Sequence, residues 1–496
     1  MKGKLLENIS LKIRKDFMVS RVKTLLISTI LVVAFLTLNL WLNKVDLPKF
    51  DITENKVFTL SDASKNETKK VDQDVNITVY GYDENSNIID LLKQYKKNNS
   101  KINYQIITDS DNPDLVKKYN LQSGDAVLIL EVGEFSKTLT SQDFVSYDYT
   151  TYQQIDLTEN AITNAILNLT IAEKPKVYVV TGHNELPVDQ YLSRILAYMQ
   201  NEVFDYSVIN LLSTETIPND CDLLAIISPQ KDLMESELNL LKDYINKGGN
   251  IIYTSDLLDP EDADLPNWQQ VLDLYGLTVE NGIVYETQAN SYVANSPFVM
   301  FPEIEYTSIT SEISTDGAIL LEMPKRIITA NEEAQTTLNV TYEELLKSSE
   351  KSFFLTDFSE NAINNVYNQE PGSSLIAVKA TKKLNTENSE NTTENSEEKA
   401  SEIIVIANGT FISNVESVVA QGYGQVNLYN NADFFLNSVA NLTDREDSIT
   451  VRKETNSSTF TPTEKQNNIV LIIIFAVPIA IILFGILVWN YRKHKR

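Results

Sequence analysis

Cysteine is almost absent: Cys221 is the one cysteine in 496 residues, so no intrachain disulfide is available. Histidine is nearly as scarce. With only His183 and His494, a histidine-rich metal site is excluded, and no Cys/His cluster of metal-ligand spacing occurs. No Gly-x-x-x-x-Gly-Lys-Ser/Thr loop is present, so the chain lacks the Walker A route to ATP hydrolysis. No cofactor is expected. Basic residues are also few, 42 Lys and Arg against 68 Asp and Glu, for a net charge of −26. Residues 1–23 carry about +5 and the last six about +4, so the stretch between them carries about −35. An acidic exterior of this kind opposes nucleic acid and anionic membrane surfaces, and it suits a soluble region outside a membrane.

Two apolar runs stand out against this polar background. Thr24 to Leu42 is interrupted only by hydroxyls and Asn39, and at 1.5 Å per residue it spans roughly 30 Å, about one hydrocarbon core. A cleavable signal peptide would have a shorter apolar region and an Ala-x-Ala site; here Leu42-Asn43-Lys44 follows, which favours a retained anchor. The second run is 469–491, with Pro478 inside it, a residue that membrane helices tolerate. Lys12, Arg14, Lys15, Arg21 and Lys23 precede the first run, and Arg492, Lys493, Lys495 and Arg496 follow the second. Basic residues on both outer flanks predict a two-span protein of the cell membrane with both termini cytoplasmic and a large extracytoplasmic region between.

Between the runs, the stretch from Lys176 to Asp256 is the most legible. The strand Lys176–Thr181 leads into Gly182-His183-Asn184-Glu185. A helix is predicted from Val188 to Glu202, a strand from Tyr206 to Leu211 and another from Asp222 to Pro229. A second helix, Glu235 to Lys247, stops at Gly248-Gly249, a C-cap needing positive φ, and a fourth strand runs from Asn250 to Asp256. These strands are continuous apolar runs, which predicts an α/β, doubly wound parallel sheet covered by helices on both faces. The succession Thr-Gly-His-x-Glu, Cys-Asp-Leu-Leu-x-Ile-Ile-Ser-Pro and Gly-Gly-Asn-Ile-Ile resembles the extracytoplasmic domain of the GldG family. These are auxiliary components of ABC-type transport systems, first tied to gliding motility. That resemblance implies a flavodoxin-like sheet similar to class I glutamine amidotransferases, and partners in the form of a permease and a separate ATPase. Phe50 to Ser61 is similar to the family's juxtamembrane signature, and Asn430 to Asn437 to its closing helix. The family often has a His-Pro pair where this chain has Thr307-Ser308, which weakens any role for that loop.

Upstream, Val75 to Tyr82 alternates as a strand, Ile88 to Lys97 has helical spacing, and Ile102 to Thr108 is a strand. Asp114 to Tyr119 is a short helix, and Ala126 to Val132 with Phe135 to Leu139 reads as a hairpin. The order β-α-β-α-β-β is that of a thioredoxin-like domain. Without Cys-x-x-Cys it has no means of thiol exchange, leaving a structural or binding module. Ile155 to Ile171 is an amphipathic helix, with Asp156 and Glu159 placed as in a capping box. Tyr292 to Glu322 reads as irregular. Leu375 to Ala380 and Ile403 to Ala407 are strands, with the Asn/Ser/Glu/Thr-rich stretch 386–401 predicted to be a disordered loop between them. The predicted organisation is a basic tail at 1–23, a span at 24–42, a thioredoxin-like domain at 46–150 and a GldG-like α/β domain at 151–453. A linker at 454–468, a span at 469–491 and a basic tail at 492–496 complete it.

In an open parallel sheet, ligands sit at the carboxyl ends of the strands, where the Gly182 to Glu185 loop lies. His183 has the chemistry of an acid/base and Glu185 that of its orienting partner; Gly182, His183 and Glu185 are therefore the candidates for ligand or partner contact. An amidotransferase would need a nucleophilic cysteine at a tight strand-to-helix turn. Cys221 instead precedes a strand, between Asp220 and Asp222, whose charges raise a thiol pKa, so it is read as structural. No catalytic and no metal residue is assigned. The favoured reading is a non-catalytic, membrane-anchored auxiliary component of an ABC-type transport system. The alternative is an envelope-anchored hydrolase or ligand sensor using the Gly182–Glu185 loop.

Overall fold

The computed structural model describes residues 59–108, 110–148, 153–171, 173–258, 264–293, 295–314, 317–384 and 399–445. It also describes Thr29, Ile30, Val33, Thr37, Gly485 and Tyr491. Two compact units are Met1–Ile52 and Thr53–Arg496. In the first, the described residues are helical and exposed. The rest of the predicted spans, residues 446–468 and residues 386–398 lie outside the described residues. Among the described residues, no helix is long and apolar enough to cross a membrane.

Within the second unit, two hydrophobic cores define two lobes. The first lobe contains α1 (Asp62–Lys69), β1 (Val75–Tyr80), α2 (Asn87–Asn98), β2 (Ile102–Ile107), α3 (Pro113–Lys118), β3 (Val127–Val132) and β4 (Phe135–Thr140). Its sheet has the order β2-β1-β3-β4. Strand β1 is parallel to β2 and antiparallel to β3, and β3 is antiparallel to β4. The two-residue period of a strand sorts the side chains. Val75, Ile77 and Val79 of β1 and Leu128, Leu130 and Val132 of β3 enter the main core with Ile89 and Leu92 of α2. Tyr80, Ile107, Val127 and Ile129 point the other way, against Leu115 and Val116 of α3.

A hairpin of β5 (Val145–Asp148) and β6 (Gln153–Asp156) then leads to α4 (Thr158–Thr170). The sequence groups this helix with the second lobe, but its apolar stripe of Ile162, Ala165 and Ile166 packs in the first core. The expected capping box does not form. Asp156 lies one position ahead of the Leu157 cap and accepts from Thr158 N at 2.9 Å, while Glu159 Oε1 accepts from Ser61 N at 2.7 Å and so fixes the start of α1 instead.

The second lobe opens with β7 (Lys176–Thr181), a π-helical turn (Val188–Leu192), α5 (Ser193–Asn201), β8 (Asp205–Asn210), β9 (Leu223–Ile227), α6 (Glu235–Asn246) and β10 (Asn250–Thr254). These match the expected succession to within a few residues. Gly248 takes φ +88° at the C-cap of α6, and a Cβ on Gly249 would lie 2.3 Å from the Tyr244 ring. After α7 (Pro266–Asp273) the chain forms β11 (Leu277–Glu280), β12 (Ile283–Tyr285), β13 (Tyr292–Val293), β14 (Ser296–Met300), β15 (Glu303–Ile304) and β16 (Leu321–Glu322). It continues through β17 (Arg326–Thr329), β18 (Val340–Lys347), β19 (Phe353–Leu355), β20 (Leu375–Lys383) and β21 (Ala400–Ile406) to the closing helix α8 (Asn431–Leu442).

The main sheet runs β11-β17-β20-β21-β10-β9-β7-β8, with β15 and β18 beside β20. Strands β8, β7, β9, β10 and β21 are parallel. The four strands of 176–256 are parallel as expected, and from β20 outward, beyond that unit, the pairing is antiparallel. The reason is connectivity. The parallel strands are separated by crossover helices, whereas β20 and β21 are consecutive strands paired antiparallel with no helix assigned between them among the described residues. Two further corrections concern loops. The stretch read as irregular holds the small sheet β13-β14-β16. The end of the stretch read as disordered, Ala400 and Ser401, begins β21, with Ser401 fully buried. In the main core all five residues of β9 are buried, and Leu238, Leu241 and Ile245 of α6 and Phe434, Phe435 and Val439 of α8 pack around the strands.

Candidate functional site at the carboxyl edge of the parallel strands

The parallel strands run in the spatial order β8-β7-β9-β10-β21, so the direction of winding reverses between β7 and β9. That is where an open sheet of this type takes a ligand. The loop after β7 carries Gly182 at φ +124° and Asn184 at φ +57°. These two backbone positions turn the chain so that Gly182 and Asn184 are exposed while His183 and Glu185 point inward, 4% and 8% exposed. Of the three residues proposed for contact, the structure therefore leaves Gly182 at the surface and buries the other two.

The buried pair meets a third residue that sequence reasoning missed. His183 Nδ1 is 3.0 Å from Glu185 Oε1, and its Nε2 is 3.1 Å from Glu237 Oε2, at the first turn of α6. The same carboxylates also accept from backbone amides, Glu185 from His183 N at 2.7 Å and Glu237 from Met234 N at 2.8 Å. Trp268 of α7 meets the imidazole edge to face at 5.5 Å. Burial disfavours the imidazolium, but the hydrogen bonds and charges of Glu185 and Glu237 outweigh it and hold the His183 pKa above the ordinary histidine value. A protonated ring donates from both nitrogens, one to each carboxylate. Both ring nitrogens are thus committed to protein partners. The one signal for Glu237 in the sequence was its place in the first turn of a predicted helix, which reads as an ordinary exposed acid there.

Backbone closes the remainder of the switch point. The carbonyl of His183 accepts from Gln230 N at 2.8 Å and Lys231 N at 2.9 Å, and Leu186 N donates to the carbonyl of Ile227 at 3.4 Å. The loops after β7 and β9 are therefore joined across the crevice.

Beyond β10, a second polar cluster forms around Asp256. Its Oδ1 accepts from Gly409 N at 2.7 Å and Thr410 N at 3.1 Å, with Asn408 Nδ2 at 3.3 Å. Its Oδ2 accepts from Ser228 Oγ at 2.7 Å. Ser228 sits just past β9 at φ +55° and is buried. A Cβ on Gly409 would lie 1.8 Å from Ser228 Oγ and 2.6 Å from Thr254 Oγ1, so only glycine lets this backbone approach. Lys325 is 2% exposed, and its Nζ donates to Ser255 Oγ at 3.0 Å and to the carbonyl of Asp256 at 3.2 Å. Burial lowers its pKa to about 8, against the opposing pull of the Asp256 charge. These residues come from four separate segments, and no spacing in the sequence joins them.

Cys221 lies apart from both clusters, half-buried, with Sγ 3.6 Å from the Tyr244 hydroxyl. Its thiol pKa is raised to about 11. The direction is the one expected, but burial is the chief cause, with Asp222 and Asp220 adding to it. Among the described residues, no group of three or more His, Cys, Asp or Glu is arranged to hold a metal ion.

Residues 174–438 match the family described as an ABC-type uncharacterized transport system, and residues 54–140 match a domain family of unknown function. No curated protein matches the chain. Among solved structures, it is similar to the N-terminal domain of mmIFT52 at 12% identity and a TM-score of 0.37, covering 54% of this chain and 97% of that one. It is also similar to a putative GMP synthase component from Thermoplasma acidophilum at 9% identity and a TM-score of 0.28, covering 55% and 96%. The exo-β-1,4-mannosidase Op5Man5 from Opitutaceae bacterium strain TAV5 matches at 10% identity and 0.26, covering 79% and 50%. At TM-scores this low the structural likenesses carry no functional weight.

Proposed function

The chain belongs to the ABC-type uncharacterized transport system family, with a transport-associated auxiliary role, and from that premise we propose that it is a non-catalytic, membrane-anchored component of such a system. In this reading it is of the GldG type. The runs 24–42 and 469–491 are its two spans, both termini are cytoplasmic, and the two lobes, thioredoxin-like and amidotransferase-like, stand outside the membrane. Its partners are an ABC-type permease and a separate ATPase. The anchor is supported by the two apolar runs with basic outer flanks, and by Ile30 and Val33, apolar helical side chains that are 62% and 53% exposed.

The observation that carries the non-catalytic reading is the closed switch point. His183 has the chemistry an acid/base would need, yet it is buried with both ring nitrogens held by carboxylates. Contact with a ligand or partner in this loop runs through the exposed Gly182 and Asn184 instead. The test is affinity capture of the full chain from detergent-solubilised membranes, with identification of what accompanies it. A permease and an ATPase are expected, and replacing both runs with unrelated apolar helices should release them while the lobes stay folded. Recovery of the intact chain with neither partner would overturn the reading.

A further inference from the structure

The entry to the first lobe and the exit from the second come together where the two lobes meet. At the entry, Leu60 N donates to Gln94 Oε1 at 2.9 Å and Ser61 N to Glu159 Oε1 at 2.7 Å, which ties α1 to α2 and α4. At the exit, Asp444 takes φ +53° and Arg445 N closes back on the carbonyl of Ala440 at 2.9 Å, finishing α8. The Arg445 side chain then crosses to the turn between α5 and β8. Its Nη1 donates to the carbonyl of Val203 at 2.9 Å, and its guanidinium lies 5.4 Å from the centroid of the Phe204 ring. Burial pulls its pKa down, and the carboxylates of Glu67 in α1 and Glu202 in the turn pull against that. One side chain therefore engages the exit of the second lobe, the turn and the field of α1.

The turn itself is strained. Val203 has φ +68°, and for a β-branched residue the left-handed region is a genuine outlier. Its side chain is 1% exposed and belongs to the first core, whereas the next residue, Phe204, is 3% exposed and belongs to the second. Placing consecutive side chains in two cores requires an abrupt change of backbone direction, which the positive φ provides. Asn168 Nδ2 of α4 adds a second bond across the joint, to the carbonyl of Asn201 at 3.2 Å. Such a conformation persists only where its surroundings over-determine it.

We propose that Arg445, with the Asn201–Phe204 turn, forms a clasp that makes the two lobes move as one body. The locking stands independently of membrane attachment.

The test uses the full-length chain in detergent, in a Cys221→Ser background, with nitroxide labels on cysteines placed at the exposed positions Ser136 of the first lobe and Thr337 of the second. The distance distribution by electron–electron double resonance should be single and narrow. Arg445→Gln should broaden it and speed amide exchange at 201–204 by about tenfold or more, the loss expected when a charge-assisted hydrogen bond is removed. Asn168→Ala, on the other side of the joint, should act in the same direction more weakly, and it decides the matter if Arg445→Gln fails to fold. A narrow distribution with unchanged exchange in a folded Arg445→Gln chain would overturn the proposal, even if the melting temperature fell. The same result for Asn168→Ala, where it is the deciding variant, would do so as well. Because neither readout involves a permease or an ATPase, failure here is separable from failure of the transport reading.

Discussion

Replacing His183 with alanine removes the imidazole that stands between two buried carboxylates. Glu185 and Glu237 have side chains only 4% and 2% exposed, at 3.0 and 3.1 Å from the ring. Among the described residues Glu237 Oε1 has no hydrogen-bond partner, so that carboxylate depends heavily on the His183 ring. Deleting one partner of a buried, hydrogen-bonded pair typically costs about 3–5 kcal/mol. The pH dependence has a definite sign. His183 has a folded pKa above the ordinary 6.5, so the folded state binds the proton more tightly than the unfolded state. Its stabilisation is therefore complete below about pH 6.5 and is lost as pH rises through the folded pKa. The difference between wild type and His183→Ala should accordingly be largest in mild acid, where the ring is charged in both states, and shrink toward alkaline pH. Urea unfolding followed by tryptophan fluorescence reads this directly, because Trp268 packs on the ring and the other two tryptophans, Trp41 and Trp489, lie in the apolar runs. In a His494→Gln background His183 is the sole histidine, so a proton NMR titration has one imidazole to follow. A loss below about 1 kcal/mol, the scale of an exposed ion pair, would refute the buried-cation account. A ring that titrates at or below 6.5 would refute it too.

Three other outcomes follow from the same geometry. Lys325 has a folded pKa of about 8, so the unfolded state binds its proton more tightly and stability should rise with pH between about 8 and 10.4, by up to roughly 3 kcal/mol; Lys325→Met should flatten that part of the urea-stability profile, and an unchanged slope would contradict the assignment. Asp256→Ala leaves the amides of Gly409 and Thr410 and the hydroxyl of Ser228 without their acceptor, at about 1–3 kcal/mol for each donor that water does not reach, while Gly409→Ala should cost about 1–3 kcal/mol by forcing a Cβ against Ser228; chemical denaturation of both variants checks the values. In intact cells, with Cys221 removed, an impermeant thiol reagent should label a cysteine placed at Ser389 and miss one at Ser10, and the opposite pattern would invert the proposed topology.

What the sequence determined by itself is the part of the protein built from local pattern. The four strands and two helices of 176–256 are legible because each is a short apolar run or a 3.6-residue stripe closed by its own punctuation, such as Gly248 after α6. The first lobe's β-α-β-α-β-β order is legible for the same reason, down to the hairpin turn at Gly133-Glu134 that pairs Val132 with Phe135. In the antiparallel half of the main sheet only β20, expected at Leu375 to Ala380, was legible; β11, β17 and β18 were not. Val340–Lys347 reads Val-Thr-Tyr-Glu-Glu-Leu-Leu-Lys, with consecutive acids and consecutive leucines that break the two-residue alternation, and it becomes a strand only because β20 lies beside it.

The candidate site divides in the same way. That a histidine and a glutamate follow β7 was visible, but whether they face solvent was not, because exposure depends on the left-handed conformations of Gly182 and Asn184 and on where α6 places Glu237. The Asp256 cluster joins residues from 228 to 410, and the Arg445 clasp joins Glu67 of α1 to a residue near the other end of the chain. Hydrogen bonds and charges act over a few ångströms of space whatever the separation along the chain. Periodicity therefore reveals the elements, and only their packing decides which polar groups meet.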